Sequence, residues 1–221
     1  MQPRPSPTFS AVRWFLMAGL AWIIVQCAWH SDDAWITFRT VKNAWAGHGL
    51  TWNPDQRVQA YTHPLWMMVG LVCYGLSGEL YFSTLVVSIS LSLISAVLLA
   101  RRAIGQLGLP ESLLLVLAAS GAYVDYSTSG LENALLFALV AIFFVLTNAA
   151  KSHPLAVGLA ASGIVLTRMD AVLLVLPVLF FWLWEQRFQP RTVGLLATAG
   201  LPFFAWEAFS LVYYGQLVPN T

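Results

Sequence analysis

The sequence predicts an all-α polytopic membrane protein, and three observations carry that prediction. Of 221 residues, 58% are apolar and only 10% charged, with mean hydropathy +0.71; a soluble domain carries about 25% charged residues. Too few polar side chains remain to cover a water-facing surface. Apolar stretches recur along the chain as candidate helical spans, several of them short of the about 20 residues a crossing needs. Lys and Arg gather in the loops of one side, as cytoplasmic loops do. A net charge of +1, thinly spread, leaves no footprint for nucleic acid. Cys27 and Cys73 sit inside apolar stretches without ligand-like neighbours and are expected as small buried hydrophobes.

Arg4 and Arg13 precede an apolar run from Trp14 to Trp29. The run outlasts a signal-peptide core and ends in Trp29-His30-Ser31-Asp32 rather than a small-residue cleavage pattern. It is therefore expected as a retained first span, 12–29, after a cytoplasmic tail, 1–11. Residues 30–80 form an outer loop, and 81–221 hold the remaining spans. Within the loop, 64–77 is apolar but opens on Pro64, loosens at Gly75 and Gly78, and at about 1.5 Å per residue reaches only about 20 Å. It is expected to lie in the interface, with Trp66 and Tyr74 at headgroup level.

The expected spans are then 12–29, 81–100, 110–124, 132–149, 154–168, 170–185 and 192–213, about seven in all. This threading puts Arg4, Arg13, Arg101, Arg102, Lys151, Arg187 and Arg191 on the cytoplasmic side. The acidic loop 30–63, the Asp125–Glu132 turn, the Thr167–Asp170 turn and the tail Tyr213–Thr221 fall outside. Counting 64–77 as a crossing inverts every later loop. The pairs 110–124/132–149 and 154–168/170–185 are short hairpins that stop below the outer surface and leave a recess there. The chain shows no repeat of fixed period and no low-complexity tract beyond the Pro-rich Pro3–Pro7.

Polar residues concentrate at that outer side. Ser31 can cap a helix whose first turn holds Asp32 and Asp33, where the helix dipole favours negative charge. Trp35, Ile36, Phe38, Val41 and Trp45 recur at helical spacing, so 32–46 is expected as an amphipathic surface helix. Asp32 and Arg39 share a face, with Asn43 a turn further on. Gly47-His48-Gly49 suits a left-handed helix end. A carboxylate at the mouth of a span can serve as general base toward a hydroxyl; its plainer role is a helix N-terminal charge. Two adjacent carboxylates can also share a divalent cation such as Mg or Mn, with Asp33 as ligand.

Arg168 and Asp170 lie between two apolar runs, where charge is expensive and marks function by default. The pair can neutralise each other at a hairpin tip, or Arg168 can grip a phosphate with its planar guanidinium. Asp125 or Glu132 can touch an acceptor, although an acid at the start of a helix is favoured anyway. His30, His48, His63 and His153 show no metal-ligand spacing.

Asp32-Asp33-Ala34-Trp35-Ile36-Thr37-Phe38-Arg39, Asn43, Gly47-His48-Gly49-Leu50, Asn53-Pro54 and Tyr61-Thr62-His63-Pro64-Leu65-Trp66 together resemble the first outer loop of GT-C glycosyltransferases. Within that superfamily the chain is most similar to bacterial arabinofuranosyltransferase-like membrane proteins, which use decaprenyl-phosphate-linked arabinofuranose. Ser129-Gly130-Leu131-Glu132, Leu166-Thr167-Arg168-Met169-Asp170, Tyr213-Tyr214-Gly215 and Val218-Pro219-Asn220-Thr221 agree in order, so the resemblance runs from about Trp14 to the last residue. Two positions depart: His63 stands where Ser is more usual, and Gln59-Ala60 replaces an acidic-glycine pair.

The resemblance implies a GT-C-like fold with jaw-like interfacial helices and an inverting transfer from a polyprenyl-phosphate sugar. The acceptor would be a cell-envelope glycan or lipid, on the outer face of a bacterial plasma membrane. By position it makes Asp32 the base, Asp33 its acidic neighbour and Arg168 the donor-phosphate ligand, with Arg39 a second phosphate candidate. Asn43, His48, Tyr61, His63, Glu132 and Asp170 are candidates for substrate contact. Such proteins usually continue past a Pro-Asn-Thr segment, so the chain is expected to be an N-terminal portion. The competing classes are a polyprenyl-lipid transporter or flippase-like carrier, which would place ionisable groups near the bilayer midplane, and an inactive fragment.

Overall fold

The computed structural model describes residues 10–106, 110–149 and 151–217, which are all helix and loop, with no strand. The Pro-rich start with Arg4 and the closing Val218-Pro219-Asn220-Thr221 lie outside the described residues.

Helix α1 (Ala11–Gln26) begins at Ser10, whose hydroxyl accepts from the Arg13 amide at 3.4 Å. It stops three residues short of the expected span, and Cys27, at its end, is exposed rather than buried. Helix α2 (Asp32–Trp45) is the expected surface helix. The Ser31 hydroxyl accepts from the Ala34 amide at 3.3 Å, and Asp32 and Asp33 fill the first turn. Ala34, Thr37, Phe38 and Val41 turn inward, while Trp35 and Trp45 stay exposed. Gly47, at φ +83°, takes the left-handed conformation just past its end.

Helix α3 (Pro64–Ser77) has Pro64 in its first turn and ends on Gly78, which is left-handed at φ +70°. Trp66 is not at headgroup level: it is 1% exposed and donates its indole N–H to the Gly130 carbonyl at 2.9 Å. Gly75 does not loosen the helix. It makes room for the Trp45 ring, which would lie 2.4 Å from a Cβ at that position. Trp45 also donates to the Leu71 carbonyl at 3.1 Å, so α2 is clamped flat on α3.

Helix α4 (Tyr81–Gln106) starts under the Glu79 carboxylate, which accepts from the Phe82 and Ser83 amides. The expected span 110–124 is broken. Helix α5 (Pro110–Ala119) gives way at extended Ser120 to α6 (Gly121–Tyr126), and the Ser120 hydroxyl caps the second piece at the Tyr123 amide. Helices α7 (Asn133–Thr147) and α8 (Pro154–Thr167) follow, then a single 3-10 turn, Met169–Ala171, and α9 (Val172–Glu185). The expected span 192–213 divides at Gly200 into α10 (Pro190–Ala199) and α11 (Leu201–Tyr214), where Pro202 removes an N–H from the first turn of α11. By length and composition, Tyr81–Arg102 and Pro190–Tyr214, which joins α10 and α11 across Gly200, can cross a bilayer.

Three apolar clusters hold these helices together. One lies beneath α2 and α3 and includes Phe38, Tyr61, Met67 and Trp206. A second joins α1, α4 and α5 through Leu20, Ile24 and Leu114, and a third joins α7, α8 and α9 through Phe143, Ile164 and Trp182. The exterior is also apolar: Phe15, Leu76, Leu173 and Val212 are 77%, 86%, 78% and 86% exposed. With lipid outside, burial of apolar area no longer distinguishes inside from outside, and close packing of small residues does the joining. Helix α8 shows this, since a Cβ on Gly158 would fall 2.5 Å from Ala199 on α10.

The poles of the molecule differ. At one, Arg13 pairs with Glu111 at 2.6 Å, and Arg102 donates to the Asn148 carbonyl. At the other, α2 and α3 lie across the start of α7 and the ends of α8 and α11.

Candidate active site

The second pole is assembled around a tight turn. Between α6 and α7, residues 127–130 are all buried, and their polar groups are taken up by the loop that precedes α2. The Ser31 amide donates to the Ser129 carbonyl at 2.8 Å, the Trp29 amide to the Thr128 hydroxyl, and the Trp29 indole to the Asp125 carbonyl. Gly130 has φ +77°, and a Cβ there would lie 2.2 Å from the His30 ring and 2.7 Å from the Ala34 Cβ. Only glycine meets both demands. His30 is thereby a packing residue, set at a tilt against the Tyr81 ring and bonded to the Thr84 hydroxyl, and burial pushes its ring below the usual imidazole pKa.

This turn delivers Glu132 to a continuous polar chain. The Thr37 hydroxyl, one turn along α2 from Asp33, is 2.7 Å from His63 Nε2. His63 Nδ1 is 3.2 Å from Glu132 Oε2, and Glu132 Oε1 is 3.5 Å from Arg168 Nη1. Arg168 then donates through Nε and Nη2 to both oxygens of Asp170, at 3.1 and 3.0 Å. His63 and Glu132 are each 6% exposed, so neither can exchange its partner for water. With Glu132 as carboxylate, Nδ1 carries a proton and donates to it. Four segments distant in sequence are thus locked together by side chains alone.

Two cavities flank the chain. One, of about 370 Å³, is lined by Asp33, Thr37, Tyr61, Thr62, His63, Glu132 and Arg168 among others. The other, of about 280 Å³, is lined by Gln59, Thr62, Glu132, Arg168, Asp170, Trp206 and Glu207 among others. They share Thr62, Glu132 and Arg168 as wall residues, so the two adjoin across these side chains and together make up the polar groove of this pole. A third cavity, of about 340 Å³ and almost wholly apolar, runs between α8, α9, α10 and α11 and shares Val165 and Phe203 with the second.

Of the residues expected at the site, Asp33, Tyr61, His63, Glu132, Arg168 and Asp170 line the groove. Asp32 is not among the lining residues. It is exposed, and its Oδ1 accepts from the Asp33 amide at 3.1 Å. Arg39 stacks on the Trp52 ring at 4.4 Å and donates to Asn53, away from the groove. Asn43 donates to the Thr51 and Trp52 carbonyls and pins the loop, and His48 is an exposed loop residue. Burial and neighbouring Tyr214 push the Tyr61 phenol far above its usual pKa, leaving a neutral hydroxyl bonded to the Tyr214 hydroxyl. Among the described residues, no group of three or more His, Cys, Asp or Glu is arranged to hold a metal ion.

Thr37, Gln59 and Glu207 went unnoticed as lining residues. Thr37 is an ordinary polar residue inside α2, and Gln59 stands out in the sequence only as a departure from the family pattern. Glu207 does leave one: it is the single acid in the apolar run 192–213.

No family model matches the chain and no solved structure matches it. Two curated proteins do. The chain is 31% identical over 226 aligned positions to a "Terminal beta-(1->2)-arabinofuranosyltransferase" of Mycobacterium tuberculosis, covering 90% of this chain and 35% of that protein. It is 29% identical over 252 positions to a protein of the same description from Corynebacterium glutamicum, covering 97% of this chain and 36% of that protein. The chain therefore spans about a third of the length of the curated relatives it matches. An all-helical fold with bilayer-compatible helices, a polar groove at one pole and this similarity together make the chain a distant homologue of bacterial arabinofuranosyltransferase-like membrane proteins.

Proposed function

We propose that the chain forms the catalytic membrane module of an inverting GT-C-type glycosyltransferase. It would move a sugar, arabinofuranose by analogy with its relatives, from polyprenyl phosphate to a cell-envelope glycan or lipid. The observation that carries the reading is a polar cavity lined by both Asp33 and Arg168. In this reading α2 and α3 are the jaw helices, about seven spans cross the bilayer, and the groove faces the outside of a bacterial plasma membrane.

The chemistry would run as the resemblance implies. An aspartate takes the proton of the acceptor hydroxyl. The resulting oxygen attacks the anomeric carbon from the face opposite the phosphate, and the bond from that carbon to the phosphate oxygen breaks. The leaving group is polyprenyl phosphate, whose added charge Arg168 stabilises. Glu132 and Asp170 hold the guanidinium in place while its side chain stays 42% exposed to an incoming anion. The adjoining apolar cavity gives the lipid a path away from the phosphate into the helix bundle.

Geometry favours Asp33 as the base because it lines the groove; position in the family pattern favours Asp32. Transfer from decaprenylphosphoryl-arabinofuranose to a synthetic arabinofuranosyl acceptor, with the protein in lipid nanodiscs, separates them. Asp33→Asn is expected to lower turnover by about 10²-fold or more, and Asp32→Asn far less. Full loss in Asp32→Asn with activity kept in Asp33→Asn reverses the assignment. Activity kept in both, or in Arg168→Ala, removes the mechanism.

A further inference from the structure

Glu207 is not explained by the fold. It sits in the middle of α11, Leu-Pro-Phe-Phe-Ala-Trp-Glu-Ala-Phe-Ser-Leu-Val-Tyr-Tyr, where a carboxylate costs stability without a partner. Its Oε1 is shielded from solvent, and no described residue donates to it. The one cation among the residues lining its cavity, Arg168, is paired with Glu132 and Asp170 instead. Yet Glu207 lines the same cavity as Arg168, together with Gln59, Thr62 and the aromatic side chains of Phe203 and Trp206.

This is a wall of one carboxylate, one amide, one hydroxyl and two aromatic faces. Three carboxylates and a single guanidinium line the cavity, which disfavours a second anion. A neutral ring bearing several hydroxyls suits it, since each hydroxyl can donate to a carboxylate while the ring face meets an aromatic. The position is also held. One turn along α11 from Glu207, the Ser210 hydroxyl donates to Gln59 Oε1 at 3.1 Å, and the Gln59 amide donates to the Tyr61 carbonyl at 3.1 Å. Gln59 is thereby tied to α11 one turn from Glu207, and both side chains line the cavity.

We propose that Glu207 is a sugar-binding residue that accepts hydrogen bonds from ring hydroxyls of a sugar seated beside Arg168. The proposal rests on the transferase reading of the groove. The sugar is that of the lipid-linked donor or that of the acceptor, and the two are separable.

Affinities are measured for the nanodisc-embedded chain with three probes: decaprenyl phosphate, decaprenylphosphoryl-arabinofuranose and a methyl arabinofuranosyl disaccharide. The wild type is compared with Glu207→Ala and Glu207→Gln, each first shown to melt as a folded protein. Loss of a charge-assisted hydrogen bond predicts that Glu207→Ala weakens one sugar-bearing probe by about 10- to 100-fold. Binding of bare decaprenyl phosphate stays unchanged, a selectivity that simple loss of structure would not produce. Glu207→Gln, which keeps an acceptor oxygen and loses the charge, falls between. A selective loss for the lipid-linked sugar assigns Glu207 to the donor, and one for the disaccharide assigns it to the acceptor. Unchanged binding of both, or equal loss for the bare lipid phosphate, overturns the proposal while leaving the transferase reading standing. A wild type that binds neither sugar probe overturns both.

Discussion

Replacing Gly130 with alanine tests how the site is held, because two separable costs fall on one methyl group. The first is conformational: φ is +77°, and a residue with a Cβ in the left-handed region costs about 1–2 kcal/mol. The second is steric. The new carbon would lie 2.2 Å from the His30 ring and 2.7 Å from the Ala34 Cβ. Neither neighbour can retreat, since Ala34 is fully buried and His30 is held by Tyr81 and the Thr84 hydroxyl. Overpacking of this kind costs about 1–3 kcal/mol, for a total of about 2–5 kcal/mol. Gly47 supplies the control: its φ is +83°, but a Cβ there meets nothing within 4 Å. Gly47→Ala should therefore cost only the conformational part. For a chain of this size about 1 kcal/mol moves Tm by roughly 2–4 °C. Thermal melts in detergent, followed by circular dichroism, should place Gly130→Ala several degrees below Gly47→Ala. Equal shifts for the two variants would refute the claim that the turn is packed against α2.

The remaining predictions address other joints of the same structure. His63→Ser removes the ring that the buried Thr37 hydroxyl and Glu132 Oε2 both face, at a cost of about 1–3 kcal/mol. In a double-mutant cycle with Glu132→Gln, the two losses should fail to add by about 0.5 kcal/mol or more, and additivity would break the proposed chain. Ser31→Ala removes the cap of α2 and should cost about 1 kcal/mol, visible as faster amide exchange in the first turn; unchanged exchange would contradict it. Gly75→Val drives a side chain into the Trp45 ring and should change the exposure of that tryptophan to an aqueous quencher. In a Cys27→Ser background, cysteines placed at Asp55 and at Arg101 should differ in labelling by an impermeant reagent, with only the first reached from outside. Labelling of both from one side would overturn the proposed threading.

Much of the local structure was legible in the chain. The limits of α2 follow from Ser31, the two aspartates and Gly47, because caps and left-handed ends depend on neighbours in sequence. Pro64 and Gly78 bracket α3 for the same reason. Errors arose where distant residues intervene. The break at Ser120 lies inside an apolar run that hydropathy alone treats as one span. Trp66 has the look of an interface anchor until the Gly130 carbonyl is known to lie within reach of its indole. Arg39 shares a helix with Asp33, but Trp52 and Asn53 fold over it, and that loop path is not written in periodicity.

By itself the sequence determined the solvent and the inventory: a chain with 10% charged residues must be solvated largely by lipid, and its scarce charges must collect at helix ends. It also named Arg168 and Asp170, because an ionisable group between apolar runs is costly enough to be conspicuous, and it named Asp33, His63 and Glu132 through helix position and the family pattern. Only the tertiary structure decided which of these meet. Asp32 and Asp33 are chemically identical neighbours, but about 100° of helical rotation puts one on the groove and the other outside it. Glu207 gained its place only when α11 packed beside α8, and Glu132 reached His63 only because a glycine turn fits beneath His30. Local free energies fix helix ends one residue at a time, whereas the convergence of side chains from four segments depends on how whole helices pack.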